Sequence, residues 1–482
     1  MQKFTKTIIS AIFLIAQFAY ASAQNTQPGK YNQLSKSSYA KQKDSLKKVL
    51  VCPVLFKKKE TQKKYKEFWE SRTDFITAAI DDNDFTREPA IYDYVSGILN
   101  ELVAANGTYI KNYPLLFIDR SSSVNAYAMG NNMVAVNMGL LSFAEYREEI
   151  ALALAHELAH NILGHPENSM KERAELLTSD EYINDVKSVL DSKYGRYSKL
   201  KKIMEGYSFS HNRHNRYHEE EADSVATILL KNSNIAFAPA FFLRLDSADL
   251  VYKTPLKSSV RSYMTDLSIG VEDAWMRKGS KGLSNKNYSF SQGEISDSAK
   301  THPDCKIRYE RMLPYASGKT LTPMKASLRA DVNKSIIWSL FVNSNLTAAF
   351  YRLLLEKDRG NFDAWHKTMA AYIMNGLFYA DKRLSRFNVI NIKSKEYISA
   401  SYYELQTMFE QFPRERLETS CKECFNQAYW QQASADERSF KSLLAYLNFT
   451  EEQKSSEIKS MRKEFEESYG QSLYREFIEQ IK

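Results

Sequence analysis

His156-Glu157-Leu158-Ala159-His160 brings two imidazoles and a carboxylate together at a spacing that can do chemistry. The pentapeptide lies in an apolar run, Ile150-Ala151-Leu152-Ala153-Leu154-Ala155, that reads as a buried helix. Residues four apart on a helix share a face, so both histidines can ligate one metal ion. Glu157 lies about 100° round from His156, where it can point at water held by that ion and take its proton. That is the chemistry of zinc-dependent peptide-bond hydrolysis. The bland alternative is a helix with two unrelated histidines, so the rest of the chain has to supply what the motif lacks.

A catalytic zinc site takes three protein ligands and keeps a fourth position open. The segment Arg216-Tyr217-His218-Glu219-Glu220-Glu221-Ala222-Asp223 offers the third, and it continues with helical periodicity through Ser224 to Leu230. Glu219 would complete a His, His, Glu set. Asp223, four residues on, can accept a hydrogen bond from the outer N–H of a ligand histidine and so fix its tautomer. A solvated acidic helix start is the competing reading. His211, His214 and His218 lie nearby and compete with Glu219 in principle, although His218 is its immediate neighbour and faces away from it.

These residues resemble those of the metallopeptidase family that contains the CAAX prenyl endopeptidases, the HtpX heat-shock proteases and the periplasmic protease BepA. The family carries its third ligand as the first Glu of Glu-x-x-x-Asp after an Arg. The resemblance therefore implies a gluzincin-type site with one zinc ion per chain, held by His156, His160 and Glu219, with Glu157 as base and Asp223 and Arg216 as supports. Val124 to Leu141 is similar to the family's Asn-Ala-Phe-Ala hairpin and Gly-Leu-Leu helix start. Gly130-Asn131-Asn132 stands where the family has Pro-Gly-Gly, and both Asn and Gly tolerate the positive φ that such a turn needs. Downstream, His302-Pro303 followed by Arg308 resembles the segment that closes the family's catalytic domain. The resemblance covers residues 89 to 313 and leaves both ends of the chain outside it.

Elements must hold these groups in place. Ile91, Val95, Ile98, Leu99 and Leu102 recur at helical spacing as one apolar stripe. Pro114 to Asp119 reads as a buried strand, followed by a hairpin about Gly130-Asn131-Asn132. The second hairpin strand, Met133-Val134-Ala135-Val136-Asn137, is expected at the sheet edge, where its backbone can grip an extended peptide. Two helices, carrying His156 and Glu219, follow with a charged helical insertion between them at 166–205. The fold class expected is α+β: a mostly helical, zincin-like catalytic domain with a small antiparallel sheet, then an all-α C-terminal domain. Within Asn345 to Lys382 the order Ala348, Leu353, Leu354, Asn361, Ala364, Trp365, Ala371, Gly376, Tyr379, Ala380 is that of one tetratricopeptide-like hairpin. No clean recurrence supports a repeat array, and an irregular helical domain is the alternative. The expected division is a signal peptide at 1–23, a helical lead-in at 24–85 containing a short strand at Val51 to Phe56, a metallopeptidase domain at 86–320, and a helical domain at 321–482.

The chain opens with Lys3, Lys6, an apolar stretch from Ile8 to Ala19, and Ala21-Ser22-Ala23. This reads as a secretory signal cleaved after Ala23, because the apolar run is too short to span a bilayer and no Cys follows it for lipid attachment. No later segment holds the ~20 apolar residues of a spanning helix, so no integral membrane segment is expected after cleavage. The periplasm of a Gram-negative-type bacterium is the expected location, with secretion second. The formal net charge of +8 is modest and evenly mixed, which argues against nucleic acid as a partner. The Lys-rich patches at Lys41 to Lys66 and Lys187 to Lys202 read as solvated helix faces rather than lipid contacts. Cys421 and Cys424 have the spacing of a redox or metal motif but lack a second cysteine pair and a strand–helix context, leaving a local disulfide or two thiols.

The function expected is an exported zinc metalloendopeptidase that hydrolyses unfolded or misassembled envelope proteins. A protein partner at the C-terminal helices is a second expectation. The rival is a chaperone or binding scaffold that works through those helices, with a structural or latent metal site. Glu157 counts against it, since a structural site needs no general base and closes its fourth position. His302 ends a Ser-, Gly- and Asn-rich stretch from Gly279 to Lys300, so its imidazole can reach the open metal position and hold the enzyme latent. The simpler reading is that it only hydrogen-bonds within its loop.

Overall fold

The computed structural model describes residues 36–277 and 305–481 except 83 and 87, and the side chains of 36–42, 201–216 and 249 fall outside the description. The signal segment, His302 and the side chains of His211, His214 and Arg216 therefore lie outside the described residues. The chain divides into two compact units. Among described residues, one comprises 36–249 and 305–329 and the other 250–277 and 330–481. The class is α+β.

In the first unit four strands, β1 (Phe85–Thr86), β2 (Leu115–Asp119), β3 (Ala126–Gly130) and β4 (Met133–Asn137), form a sheet in the order β1-β2-β4-β3. The hairpin turns where the sequence predicts, with φ of 77°, 47° and 59° at Gly130, Asn131 and Asn132. Its return strand, however, enters the sheet between β2 and β3. β4 runs parallel to β2, Leu115 opposite Met133 through Asp119 opposite Asn137, and antiparallel to β3. The sheet is thus mixed rather than purely antiparallel, and Met133, Val134, Ala135, Val136 and Asn137 form an interior strand, not the edge. All five are buried, since an interior strand has both its ladders and both its faces covered. The edge falls to β3, whose only strand partner among the described residues is β4.

The lead-in forms two helices, Lys36–Val49 and Lys59–Asp81. Leu46, Leu50, Ile76 and Ile80 pack with Phe85, Phe117, Met129, Met133 and Ala135 on one face of the sheet. Val51 to Phe56 is not a strand. The backbone N–H groups of Leu55 and Phe56 donate instead to the Gln62 side chain at 2.9 and 3.0 Å, so this β-prone run is a loop pinned by the next helix. The stripe of the helix Pro89–Ala105 is fully buried as its spacing requires, and each such side chain contributes about 1.5–3 kcal/mol of burial. Asn106, just past that helix, donates to the Leu102 and Leu229 carbonyls and ties it to the far end of the Glu219 helix.

The His156 helix spans Arg147–Leu163 and the Glu219 helix Arg196–Asn232. They pack along each other through small side chains, with Ala151, Ala155, Ala159, Ala222 and Ala226 all fully buried. Small residues let two helix axes approach closely, which brings residues near 156 and 219 within reach of one ion. The start of the His156 helix is fixed by Glu149, which accepts from the Glu145 and Tyr146 N–H groups and pairs with Arg244. Gly139 is required by close approach, since a Cβ there would lie 2.1 Å from the Ser123 carbonyl oxygen.

Among its described residues the second unit has helices and no strands. The hairpin expected between Asn345 and Lys382 is present as helices Leu346–Asp358 and Ala364–Lys382, and Gly376 gives room to the Phe341 ring. Aromatic side chains fill this unit, among them Trp338, Trp365, Tyr351, Tyr372, Tyr402 and Tyr474. Two of their polar tips bond across the core: Trp338 donates to Glu476 at 2.7 Å, and Tyr372 donates to the Glu437 carbonyl at 2.8 Å. Cys421 and Cys424 are buried thiols rather than a disulfide, the first donating to the Met374 carbonyl. No helix among the described residues is long and apolar enough to cross a membrane.

Candidate metal centre

His156 and His160 sit one turn apart on their helix and direct their Nε2 atoms at the same point, 3.0 Å from each other. Glu219 reaches them from the neighbouring helix, Oε2 3.3 Å from His156 Nε2 and Oε1 3.4 Å from His160 Nε2. Three ligands on a tetrahedral ion with bonds of about 2.0–2.1 Å stand about 3.3–3.4 Å apart, close to the separations between these two nitrogens and the two carboxylate oxygens, so the donor set fits zinc. Two imidazole nitrogens and a carboxylate that converge in this way are a donor set that could hold a metal ion. His160, Glu219 and His156 form the one His/Cys/Asp/Glu group of this kind among the described residues. His218 does not join it. Its ring stacks on His165 with centroids 4.1 Å apart.

Asp223 lies one turn beyond Glu219 and accepts from His156 Nδ1 at 2.9 Å. With Nδ1–H committed outward, His156 Nε2 is left with a lone pair for a metal. The guanidinium on Asp223 is that of Arg308, from the helix Cys305–Met312, which donates from Nε and Nη2 at 2.8 and 2.7 Å. Arg308 also lies 3.4 Å from Glu219 and 4.4 Å above the Phe242 ring. Burial disfavours charge on Asp223, but Arg308 and His156 outweigh it and bring its carboxyl down to about 2. Burial likewise opposes charge on His156, yet Glu219 and Asp223 push it up to about 10 in the chain without a cation. Burial holds His160 below the usual histidine range.

Glu157 is buried beside His156. Both line a cavity of about 40 Å³ whose walls include Val124, Ala126, Leu140, Leu152, Phe241 and Phe242. The segment leading into β3 therefore forms one wall of the space next to Glu157.

The contacts of two contributors were not legible in sequence. Arg308 was legible only as part of the segment after His302, with no signal for its partner. His165 carried no motif at all, yet its Nδ1 lies 2.8 Å from Nδ1 of His160.

Residues 90–315 match the profile of peptidase family M48. This part of the chain is an M48 peptidase domain. The family-level resemblance carried by His156, His160, Glu219 and their flanking segments is borne out. The chain is 26% identical over 162 residues to a protein of Vibrio cholerae serotype O1 named a beta-barrel assembly-enhancing protease, covering 33% of each chain. It is 33% identical over 139 residues to metalloprotease YcaL of Escherichia coli K12, covering 29% of this chain and 53% of that one. The chain thus spans between a third and about half of the length of these curated relatives.

Proposed function

We propose that this protein is an exported zinc-dependent metalloendopeptidase that cleaves unfolded or misassembled envelope proteins in the periplasm. The observation that carries the reading is the Nε2, Nε2, carboxylate triangle of His156, His160 and Glu219 with Glu157 beside it. Zinc, when bound there, supplies a Lewis acid that polarises the scissile carbonyl and acidifies water. The residues do the rest. Glu157 takes a proton from the water that attacks the carbonyl carbon and returns it to the leaving nitrogen as the C–N bond breaks. Asp223 and Arg308 hold the His156 ring in the ligating tautomer.

An extended substrate would run along β3, the strand whose outer edge is in no ladder among the described residues, with one side chain directed into the cavity by Val124 and Phe242. Main-chain pairing of this kind is indifferent to most side chains, which suits clients that are unfolded rather than of one sequence. The name of the Vibrio relative, a protease that enhances β-barrel assembly, supports an envelope role.

The test is zinc content by mass spectrometry together with cleavage of reduced, unfolded casein by wild type and Glu157→Gln. Stoichiometric zinc in both proteins with cleavage by wild type alone supports the reading. Zinc-independent protection of the unfolded protein from aggregation, with no cleavage by either, would support the scaffold instead.

A further inference from the structure

The hydrogen-bond geometry around His160 points to a role for His165. His160 can ligate through Nε2 only if its proton sits on Nδ1, and that Nδ1 lies 2.8 Å from His165 Nδ1. A bond between two ring nitrogens needs one proton and one lone pair. If His165 Nδ1 carried the proton, His160 would have to accept it, and its own proton would move to Nε2 and close that atom to a cation. Ligation therefore requires His165 to accept on Nδ1 and to carry its proton on Nε2.

The surroundings of His165 favour that arrangement. Its Nε2 faces a carboxylate oxygen of Glu221 at 3.4 Å, an acceptor that rewards a proton there. Stacking on His218 fixes the ring plane, and the side chain is almost wholly buried. The backbone delivers it there by a break. The His156 helix ends at Leu163, Gly164 takes a left-handed φ of 69°, and His165 opens the next helix. In an unbroken helix residue 165 would lie about 140° round from 160 and could not meet it.

We propose that His165 is a positioning residue of the metal centre, setting the tautomer of His160 as Asp223 sets that of His156. The proposal rests on the reading of His156, His160 and Glu219 as zinc ligands. It gives the two ligand histidines different supports: His156 donates to a carboxylate held by Arg308, and His160 donates to a neutral imidazole backed by Glu221.

Zinc affinity of the full chain, measured by competition with a chromogenic chelator, tests it. His165→Phe keeps an aromatic ring for His218 to stack on but removes the acceptor, and it should weaken zinc 10- to 100-fold. His165→Asn places its amide oxygen where Nδ1 stood and should restore affinity to within about threefold of wild type, since a ligand histidine needs only an acceptor there. Circular dichroism melts of the metal-free proteins establish that both variants fold, and the cobalt-substituted spectrum should shift for Phe and return for Asn. Equal zinc affinity for wild type and His165→Phe overturns the proposal, and so does equal loss in Phe and Asn when both are folded. Glu219→Ala is the control on the underlying reading. If that variant keeps its zinc, the ligand assignment has failed; if it loses zinc while His165→Phe does not, only the role of His165 has.

Discussion

Arg308 and Asp223, 85 residues apart in sequence, form a buried two-pronged ion pair with Nε and Nη2 donating at 2.8 and 2.7 Å. Through Asp223 the pair reaches His156, and through its remaining nitrogen Arg308 reaches Glu219, so one guanidinium braces two of the three candidate ligands. Removing one partner of such a pair strands a charge away from water.

Arg308→Ala should accordingly lose about 3–5 kcal/mol of stability, the usual cost of stranding a buried charge, and weaken zinc about 10- to 100-fold. Arg308→Lys should recover little of either, because an ammonium cannot donate in parallel to both carboxylate oxygens. Thermal unfolding and chelator competition read the two effects. A Lys variant indistinguishable from wild type would mean that charge alone matters and the fork does not.

Glu157→Gln should bind zinc and melt as wild type does while its proteolytic rate falls by about 10²- to 10⁴-fold, since the amide has no basic oxygen to take the water's proton. Activity within tenfold of wild type would remove Glu157 from the role of base.

Gly139→Ala tests the close approach that lets the chain turn from β4 into the next helix. The added Cβ would meet the Ser122 and Ser123 carbonyl oxygens at 2.3 and 2.1 Å. Neither can yield without moving the 122–125 segment beside the cavity. A loss of at least about 1–3 kcal/mol is expected from such overpacking, with cleavage impaired beyond the loss of folded protein. Unchanged stability would show that this segment can shift freely.

The second unit contains an acid-sensitive contact. Burial would raise the Asp363 carboxyl, but His366 at 2.8 Å and Lys334 at 2.5 Å outweigh it and hold it well below the usual carboxylate range. A carboxylate lowered on folding stabilises above its unfolded pKa of about 3.9, and that contribution is lost as pH falls toward the folded value. The melting temperature of wild type should exceed that of Asp363→Asn at pH 7, and the gap should narrow below about pH 4. A gap that stays constant down to pH 3 would place the effect in packing rather than charge.

Much of the candidate site was written in local spacing. His156 and His160, and Glu219 and Asp223, are pairs four apart on helices, and helical periodicity alone puts each pair on one face. The stripe from Ile91 to Leu102 and the turn at Gly130-Asn131-Asn132 were equally legible, since apolar period and tolerance of positive φ are properties of short segments. Other features depended on which segments meet. Val51 to Phe56 has strand-forming residues but found no ladder, because Gln62 took its N–H groups. Met133 to Asn137 became interior because β2 lay alongside it in parallel, a pairing between segments that their own alternation does not encode. Residues 250–277 fold with the C-terminal helices through Val260, Met264 and Trp275, whose apolar character says nothing of which core they enter. The same holds at the candidate metal centre: helix period in the sequence determined the candidate ligands, whereas Arg308 and His165 were chosen by tertiary packing. Each lies off the helix face it serves, and only the approach of separate helices and the break at Gly164 bring it within hydrogen-bonding distance.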